Sequence, residues 1–83
     1  MRVELFHALS DAGSAACRRA IVERKLADRV TLRNVYFASH AAALAALGGA
    51  RVPALWDGAA LAEGKDAVLE RLRDLGGDNF RPS

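Results

Sequence analysis

The chain has 83 residues, of which 52% are hydrophobic, and its formal net charge is +2. This length suits one small domain with one core. Acidic and basic residues are interspersed, which excludes a continuous basic stripe of the kind that binds nucleic acid. The single cysteine excludes an intramolecular disulfide and a metal site built on several thiolates, and it favours a reducing compartment.

The sequence has no apolar stretch long enough to span a bilayer, which predicts a protein without a membrane partner. Residues 1–4 lead directly into an apolar run with the length of a strand, and they lack the features of a signal peptide. We therefore expect a cytoplasmic location.

The first half of the chain predicts two strands, each followed by a helix. Residues 3–9 are nearly continuously apolar, as is typical of a strand covered on both faces. A helix is predicted over residues 15–27, with Ser14, or less favourably Ser10, as its N-cap. A second strand is predicted over residues 30–37.

A short alanine-rich helix is predicted next, over residues 40–47. Ser39 is its predicted N-cap, and Gly48-Gly49 is its predicted end. A β-hairpin follows. Pro53 cannot donate to a ladder, so it belongs at the first residue of a strand. Asp57-Gly58 is a turn dipeptide before a second apolar run, Ala59-Ala60-Leu61.

The last helix is predicted over residues 65–75, where apolar residues recur at helical spacing, and Gly76-Gly77 is its predicted end. Residues 1–77 then form the domain, and residues 78–83 form a flexible C-terminal tail.

The predicted element order is β-α-β-α-β-β-α. A helix between the first two strands makes them parallel, whereas the tight hairpin turn makes the last two antiparallel. The sequence therefore predicts an α/β fold, in which a four-stranded mixed sheet is flanked by helices on both faces.

Two segments resemble motifs of a known superfamily. Residues 13–20 resemble Gly-Cys-x-x-Cys-x-Arg-Ala at the start of a first helix, and Val52-Pro53 matches a Val-Pro pair before a third strand. On these motifs the chain resembles glutaredoxin-like members of the thioredoxin superfamily. The run from Val52 to Glu63 is also similar to a pattern in the N-terminal thioredoxin-like domain of glutathione transferases, Val-Pro-x-Leu followed by Leu-x-Glu.

The resemblance implies a thioredoxin fold and a cis bond before Pro53. The Val-Pro pair alone would give a cis bond in only about 5–6% of folded cases.

The resemblance places the two cysteine positions of the family on Ser14 and Cys17, so the usual attacking thiol is absent. A serine hydroxyl cannot replace it, because thiol-disulfide exchange needs a thiolate. Cys17 itself has two interpretations. In the first turn of the helix and beside Arg18, it would be a nucleophile of low pKa. Packed with Ala20 and Ile21, it would be an inert core residue, which is the ordinary fate of a lone cysteine.

Ser14 also has two interpretations. Its hydroxyl could face a bound thiol, as the similarity to glutathione transferases implies. The ordinary role of such a serine is to cap the helix, and this interpretation is favoured.

The resemblance also implies a glutathione site along Val52, Pro53 and the start of the last helix. There Arg51 would pair with a ligand carboxylate. Lys65 and Asp66 lie in the stretch that would receive the γ-glutamyl end, with Asp66 taking the ligand amine. The alternative is that Arg51, Lys65 and Asp66 are ordinary surface charges, since an acidic residue is favourable in the first turn of any helix.

The remaining candidates are structural. His7 and His40 lie far apart in the sequence, so no metal site is expected. His7 is interpreted as a core-strand residue with a satisfied ring nitrogen. Trp56 and Tyr36 are interpreted as packing residues.

Two functions are consistent with these residues. The first is a glutaredoxin-like thiol-redox protein, a thiol-disulfide oxidoreductase in which Cys17 alone exchanges with glutathione or protein thiols. The alternative is a non-catalytic thioredoxin-fold module that binds glutathione or a protein partner through Val52 and Pro53. Glutathione is the expected cofactor, and the chain is small enough that a homodimer is a further expectation.

Overall fold

A computed structural model describes residues 3–80 of the chain, with side chains described up to residue 76. Its elements follow the predicted order β-α-β-α-β-β-α. They are β1 (Val3–His7), α1 (Ala12–Glu23), β2 (Val30–Asn34), α2 (Ala38–Ala46), β3 (Ala54–Trp56), β4 (Leu61–Glu63) and α3 (Lys65–Phe80). None of the helices in the described part of the chain is long and apolar enough to cross a membrane.

The four strands form one mixed sheet in the order β2-β1-β3-β4. β1 pairs with β2 in parallel, with Leu5 opposite Leu32, whereas β3 is antiparallel to both β1 and β4. The predicted α/β class, the mixed sheet and the pairing directions are therefore confirmed.

The sheet carries helices on both faces, as the sequence predicts. On one face α1 and α3 cover the larger core, and on the other α2 covers a smaller one. The buried residues of the larger core are Val3, Leu5, Cys17, Ile21, Leu26, Val30, Leu55, Val68 and Leu72, and those of the smaller core are Phe6, Leu44 and Ala54.

The helix α1 begins three residues earlier than predicted because its N-cap is Asp11, not Ser14 or Ser10. The Asp11 carboxylate accepts a hydrogen bond from the backbone N–H of Ser14 at 2.7 Å, and the first helical bond runs from Ala15 N–H to the Asp11 carbonyl. The helix also ends earlier, at Glu23, and the chain then passes through Lys25 with φ 58°.

The helix α2 also begins before its predicted start. Its N-cap position is Phe37, which makes no side-chain capping bond, so the predicted Ser39 cap is wrong. The predicted glycine end is confirmed: Gly48 has φ 86°. At Gly49 a Cβ would overlap the side chain of Leu44, which would have to shift to make room for it.

The hairpin turns where the sequence predicts it. The Asp57 carboxylate accepts from the N–H groups of Ala59 and Ala60, each at 2.8 Å, and it also pairs with Arg71 of α3. The return strand begins at Leu61, two residues after its predicted start. β1 and β2 also end earlier than predicted, at His7 and Asn34.

The predicted end of the last helix at Gly76-Gly77 is wrong, since α3 continues to Phe80. Part of the predicted C-terminal tail, residues 78–80, therefore belongs to α3. Residues 81–83 lie outside the described part of the chain.

Candidate functional site

The start of α1, the start of α3 and the segment before β3 meet at one end of the sheet. The backbone N–H of Gly64 donates to the Pro53 carbonyl at 2.9 Å, which ties the start of α3 to the start of β3. A Cβ placed on Gly13 would lie 3.3 Å from Pro53 Cδ and 3.4 Å from Lys65 Cβ. The fold thus brings together two segments that the sequence resemblance links.

The bond between Val52 and Pro53 is cis, as the resemblance implied. The residues on either side of Val52 have backbone partners, because Ala50 and Arg51 donate their N–H groups to the Glu63 carboxylate at 2.7 and 3.1 Å. No hydrogen bond among the described residues engages the N–H or the carbonyl of Val52. This half-buried residue therefore presents an open donor and an open acceptor at the end of the sheet.

The Glu63 carboxylate holds this segment in place. The N–H groups of Ala50 and Arg51, together with the Arg51 charge, lower the pKa of Glu63 from its ordinary value of 4.5. Sequence reasoning named Glu63 only as part of a similar pattern and missed this role. Its partners are 13 and 12 residues away in the chain, so no local signal could have found it.

The charged residues of the predicted site lie around the start of α3. The Arg51 guanidinium passes over Gly64, where an added Cβ would lie 3.6 Å from Arg51 Nη2. Lys65 is exposed beside Gly13. Asp66 is placed differently, because it lines a groove between α1 and α3 with a volume of about 300 Å³. The structure thus gathers Arg51, Val52, Pro53 and Lys65 and leaves Asp66 on the adjacent groove.

Cys17 is fully buried in the larger core. It is the sixth residue of α1, which begins at Ala12, so the interpretation of a thiol in the first turn is wrong. Burial, and secondarily the charge of Asp11, raise the pKa of Cys17 from 9.0 to about 11, although Lys65 and Arg18 act in the opposite direction. The thiol is therefore protonated at neutral pH and packs as an apolar residue.

Ser14 is also fully buried, and its hydroxyl is hydrogen-bonded within the fold. The hydroxyl oxygen accepts a hydrogen bond from the backbone N–H of Ala8 at 3.1 Å, while the Ser14 N–H donates to Asp11. Ser14 thus joins the end of β1 to the first turn of α1. The favoured interpretation as N-cap is wrong by three residues, and the cap residue is Asp11.

His7 is a core-strand residue with a satisfied ring nitrogen, as predicted. Its Nδ1 lies 3.1 Å from Arg18 Nη1, and the same Arg18 nitrogen donates to the Ala8 carbonyl at 3.2 Å. Because a guanidinium only donates, Nδ1 is the acceptor and the proton of neutral His7 is on Nε2. Burial, then the charges of Arg18 and His40, lower the pKa of His7.

The second histidine serves the turn after β2. His40 Nδ1 lies 3.1 Å from the Asn34 carbonyl. Within the described residues no group of three or more metal-ligating side chains is found.

Exposed apolar side chains lie at the same end of the sheet, beside β2. Tyr36 is 92% exposed, so its interpretation as a packing residue is wrong, whereas Trp56 does pack against the smaller core. Leu9 and Phe37 are also exposed, and a shallow groove is lined by Ala8, Leu9, Ser10 and Tyr36.

Comparisons of the chain with protein-family models, with curated proteins and with solved structures found no match. The function is therefore argued from the geometry of this site.

Proposed function

We propose that this chain is a thioredoxin-fold module of the glutaredoxin-like type that binds an extended peptide of the glutathione class without catalysing redox chemistry. The fold assignment is supported by the element order, by the sheet order β2-β1-β3-β4 and by the approach of Pro53 to the start of α1. A cytoplasmic location is part of the proposal, since glutathione is abundant in its reduced form in such a compartment.

The open backbone of Val52 is the observation that carries this proposal. An extended peptide can exchange two hydrogen bonds with one residue of a strand-like segment, as opposed residues do in an antiparallel ladder. The neighbouring groups are already bonded. The N–H groups of Ala50 and Arg51 donate to Glu63, and the Pro53 carbonyl accepts from Gly64 N–H. The peptide therefore pairs at Val52.

The start of α3 supplies the anion-binding part of the site. The first helical bond of α3 runs from Val68 N–H to the Gly64 carbonyl at 3.0 Å, so the preceding N–H groups of the helix have no partner within it. Such groups attract a carboxylate, and the cations of Arg51 and Lys65 lie on the same side. A ligand carboxylate is expected there.

The condition of Cys17 supports a binding function over a redox function. Exchange requires a thiolate that can reach a disulfide sulfur. Burial removes access to Cys17 and raises its pKa to about 11. Ser14, at the other cysteine position of the family, is buried as well.

Titration with reduced glutathione, followed by amide NMR shifts, tests the proposal. We expect shifts at residues 51–53 and at the start of α3, and the same shifts in a Cys17→Ala variant. Arg51→Ala should weaken binding by about tenfold or more, because a charge-assisted hydrogen bond contributes about 1.5–3 kcal/mol. Arg19→Ala, which removes an exposed arginine of α1, is the matched control and should leave the affinity unchanged.

Two outcomes would contradict the proposal. If glutathione causes no shifts at millimolar concentration, the site does not bind this class of ligand. If binding is lost in Cys17→Ala while that variant remains folded, the thiol takes part and the redox function is the better one.

A further inference from the structure

The strand β2 is an edge of the sheet. Among the described residues, the order β2-β1-β3-β4 leaves one side of β2 without a neighbouring strand. β2 has five residues, whereas the opposite edge strand, β4, has three. Exposed strand edges of this length are places where another chain can add a strand.

The hydrogen bonds to β1 determine which backbone groups of β2 face outward. The Arg29 carbonyl accepts from Val3 N–H at 3.0 Å, and Val35 N–H donates to the His7 carbonyl at 2.9 Å. The odd-numbered residues of β2 therefore direct their backbone groups to β1. Because successive residues of a strand alternate, the even-numbered residues, Val30, Leu32 and Asn34, direct theirs to the open edge.

Some of these outward groups already have partners. Val30 N–H donates to the Leu26 carbonyl at 3.1 Å, and the Asn34 carbonyl accepts from Phe37 N–H at 3.1 Å. The Val30 carbonyl, both groups of Leu32 and the Asn34 N–H have no hydrogen bond among the described residues. Along the open edge, Val30 therefore offers an acceptor, Leu32 a donor and an acceptor, and Asn34 a donor.

We propose that this edge is the contact between two copies of the chain, related by a two-fold axis at Leu32. Rotation about that axis places the Leu32 of each copy opposite the other, so that they exchange both N–H···O bonds. The Asn34 N–H then meets the Val30 carbonyl of the second copy. The groups already occupied, Val30 N–H and the Asn34 carbonyl, fall opposite each other, so no occupied group needs a new partner.

The side chains fit the same arrangement. Leu32 is 47% exposed, and in the dimer the two Leu32 side chains lie opposite each other on one face of the sheet. Arg33 forms an ion pair with Glu4, with 2.5 Å between Arg33 Nη1 and Glu4 Oε1. The Arg33 guanidinium also lies over the Phe6 ring, with its carbon 5.2 Å from the ring centroid. An axis at Thr31 would instead place the occupied Val30 N–H opposite the Leu32 carbonyl of the second copy and leave that carbonyl without a partner.

Because the edge is complementary to itself, a second copy is the occupant that the backbone pattern selects. The pairing joins the two sheets into one continuous sheet. The contact is formed by β2, whereas Arg51 and Lys65 lie beside β4, at the other edge of the sheet. It is therefore independent of the proposed peptide binding.

A charge exchange at the axis tests the dimer. Sedimentation equilibrium over a range of concentrations should show a dimer of the wild-type chain. Leu32→Lys and Leu32→Glu should each be monomeric, with dissociation raised about tenfold or more because the axis brings like charges together. An equimolar mixture of the two variants should form a dimer again. Val22→Lys, which changes an exposed aliphatic residue (71%) of α1, is the matched control and should remain dimeric.

A wild-type chain that stays monomeric overturns the proposal. So do lysine and glutamate variants that remain dimers, or a mixture of them that does not associate. Should the variants fail to fold, amide hydrogen exchange of the wild-type chain decides. The Leu32 and Asn34 amides should become more protected as concentration rises, whereas those of Thr31 and Arg33, which face β1, should not change. Protection of Leu32 that is independent of concentration overturns the proposal.

Discussion

The starts of α1 and α3 lie at the same end of the sheet, but they differ in what their polar groups bind. At α1, the Asp11 carboxylate takes the Ser14 N–H, and the Ser14 hydroxyl takes the Ala8 N–H. At α3, the N–H and the carbonyl of the neighbouring Val52 have no hydrogen-bond partner in the described part of the chain. The segment that most resembles a redox motif is therefore used for internal structure. The segment beside α3 has backbone groups that no described residue uses.

The largest expected effect concerns Cys17, which tests whether the start of α1 is closed. Below the ordinary thiol pKa of 9.0, a pKa of about 11 lowers the thiolate fraction roughly a hundredfold, and burial adds to this protection. We expect iodoacetamide to alkylate Cys17 at least about a hundred times more slowly in the native protein than in urea, measured by mass spectrometry at pH 8.

The sign of the accompanying stability change is fixed. Because folding raises the pKa of Cys17, its contribution to stability is present below pH 9.0 and is lost as the pH rises towards about 11. Equal alkylation rates in the native and unfolded protein would show that the thiol is accessible and that the comparison is wrong.

Local patterns in the sequence were sufficient for most of the fold. Asp57-Gly58 marks the hairpin turn, and Val68 with Leu72 marks the buried stripe of α3. The start of α1 could not be predicted in the same way. Asp11 and Ser14 are both good capping residues, and the choice depends on a tertiary bond from Ala8 to Ser14.

The candidate site was predicted less completely than the fold. Arg51, Val52, Pro53 and Lys65 were found through a family resemblance. The segment just before Val52 is held by hydrogen bonds to Glu63. The β3-β4 pairing brings Glu63 close to this segment, and sequence spacing does not. The burial of Cys17 is likewise a property of the assembled core, and no local motif predicts it.

The second prediction removes the bond that closes the start of α1. Ser14→Ala deletes the acceptor of the Ala8 N–H in a buried position, and we expect a loss of about 1–3 kcal/mol in the free energy of unfolding, measured with urea. Ser10→Ala, in the exposed loop just before, is the matched control and should change it by no more than about 0.5 kcal/mol. Equal losses in the free energy of unfolding for the two variants would contradict a stabilising bond between Ser14 and Ala8.

The third prediction concerns His7, whose ring accepts a hydrogen bond from Arg18 of α1. Its pKa is lowered in the fold, so the unfolded chain binds more protons. Its contribution to stability is therefore present above the ordinary pKa of 6.5 and is lost as the pH falls below it. We expect the urea concentration at the unfolding midpoint to decrease as the pH is lowered from about 7 to about 5.

The matched variants separate His7 from other groups. His7→Asn keeps an acceptor for Arg18 and removes the titration, so its midpoint should change less with pH. His40→Asn keeps His7 and should retain most of the dependence. A His7→Asn variant with the wild-type dependence would assign the effect elsewhere.

The smallest effect is expected at Glu63, which holds the segment just before Val52. Its pKa is lowered by the N–H groups of Ala50 and Arg51, so its contribution to stability is present above pH 4.5 and is lost as the pH falls through its lower native pKa. Glu63→Gln keeps an acceptor oxygen without the charge, and it should reduce this acid dependence. Glu70→Gln, an exposed carboxylate of α3, is the matched control.

Glutathione affinity measured over the same acid range sharpens the comparison. Because Glu63 holds the residues just before Val52, protonation of Glu63 should weaken binding before the protein unfolds, and the Gln variant should show less of this weakening. The Cys17→Ala variant should follow the wild-type curve, since the thiol is not part of the open side. An affinity that falls only together with global unfolding would mean that Glu63 stabilises the fold but does not position the Val52 backbone for a ligand.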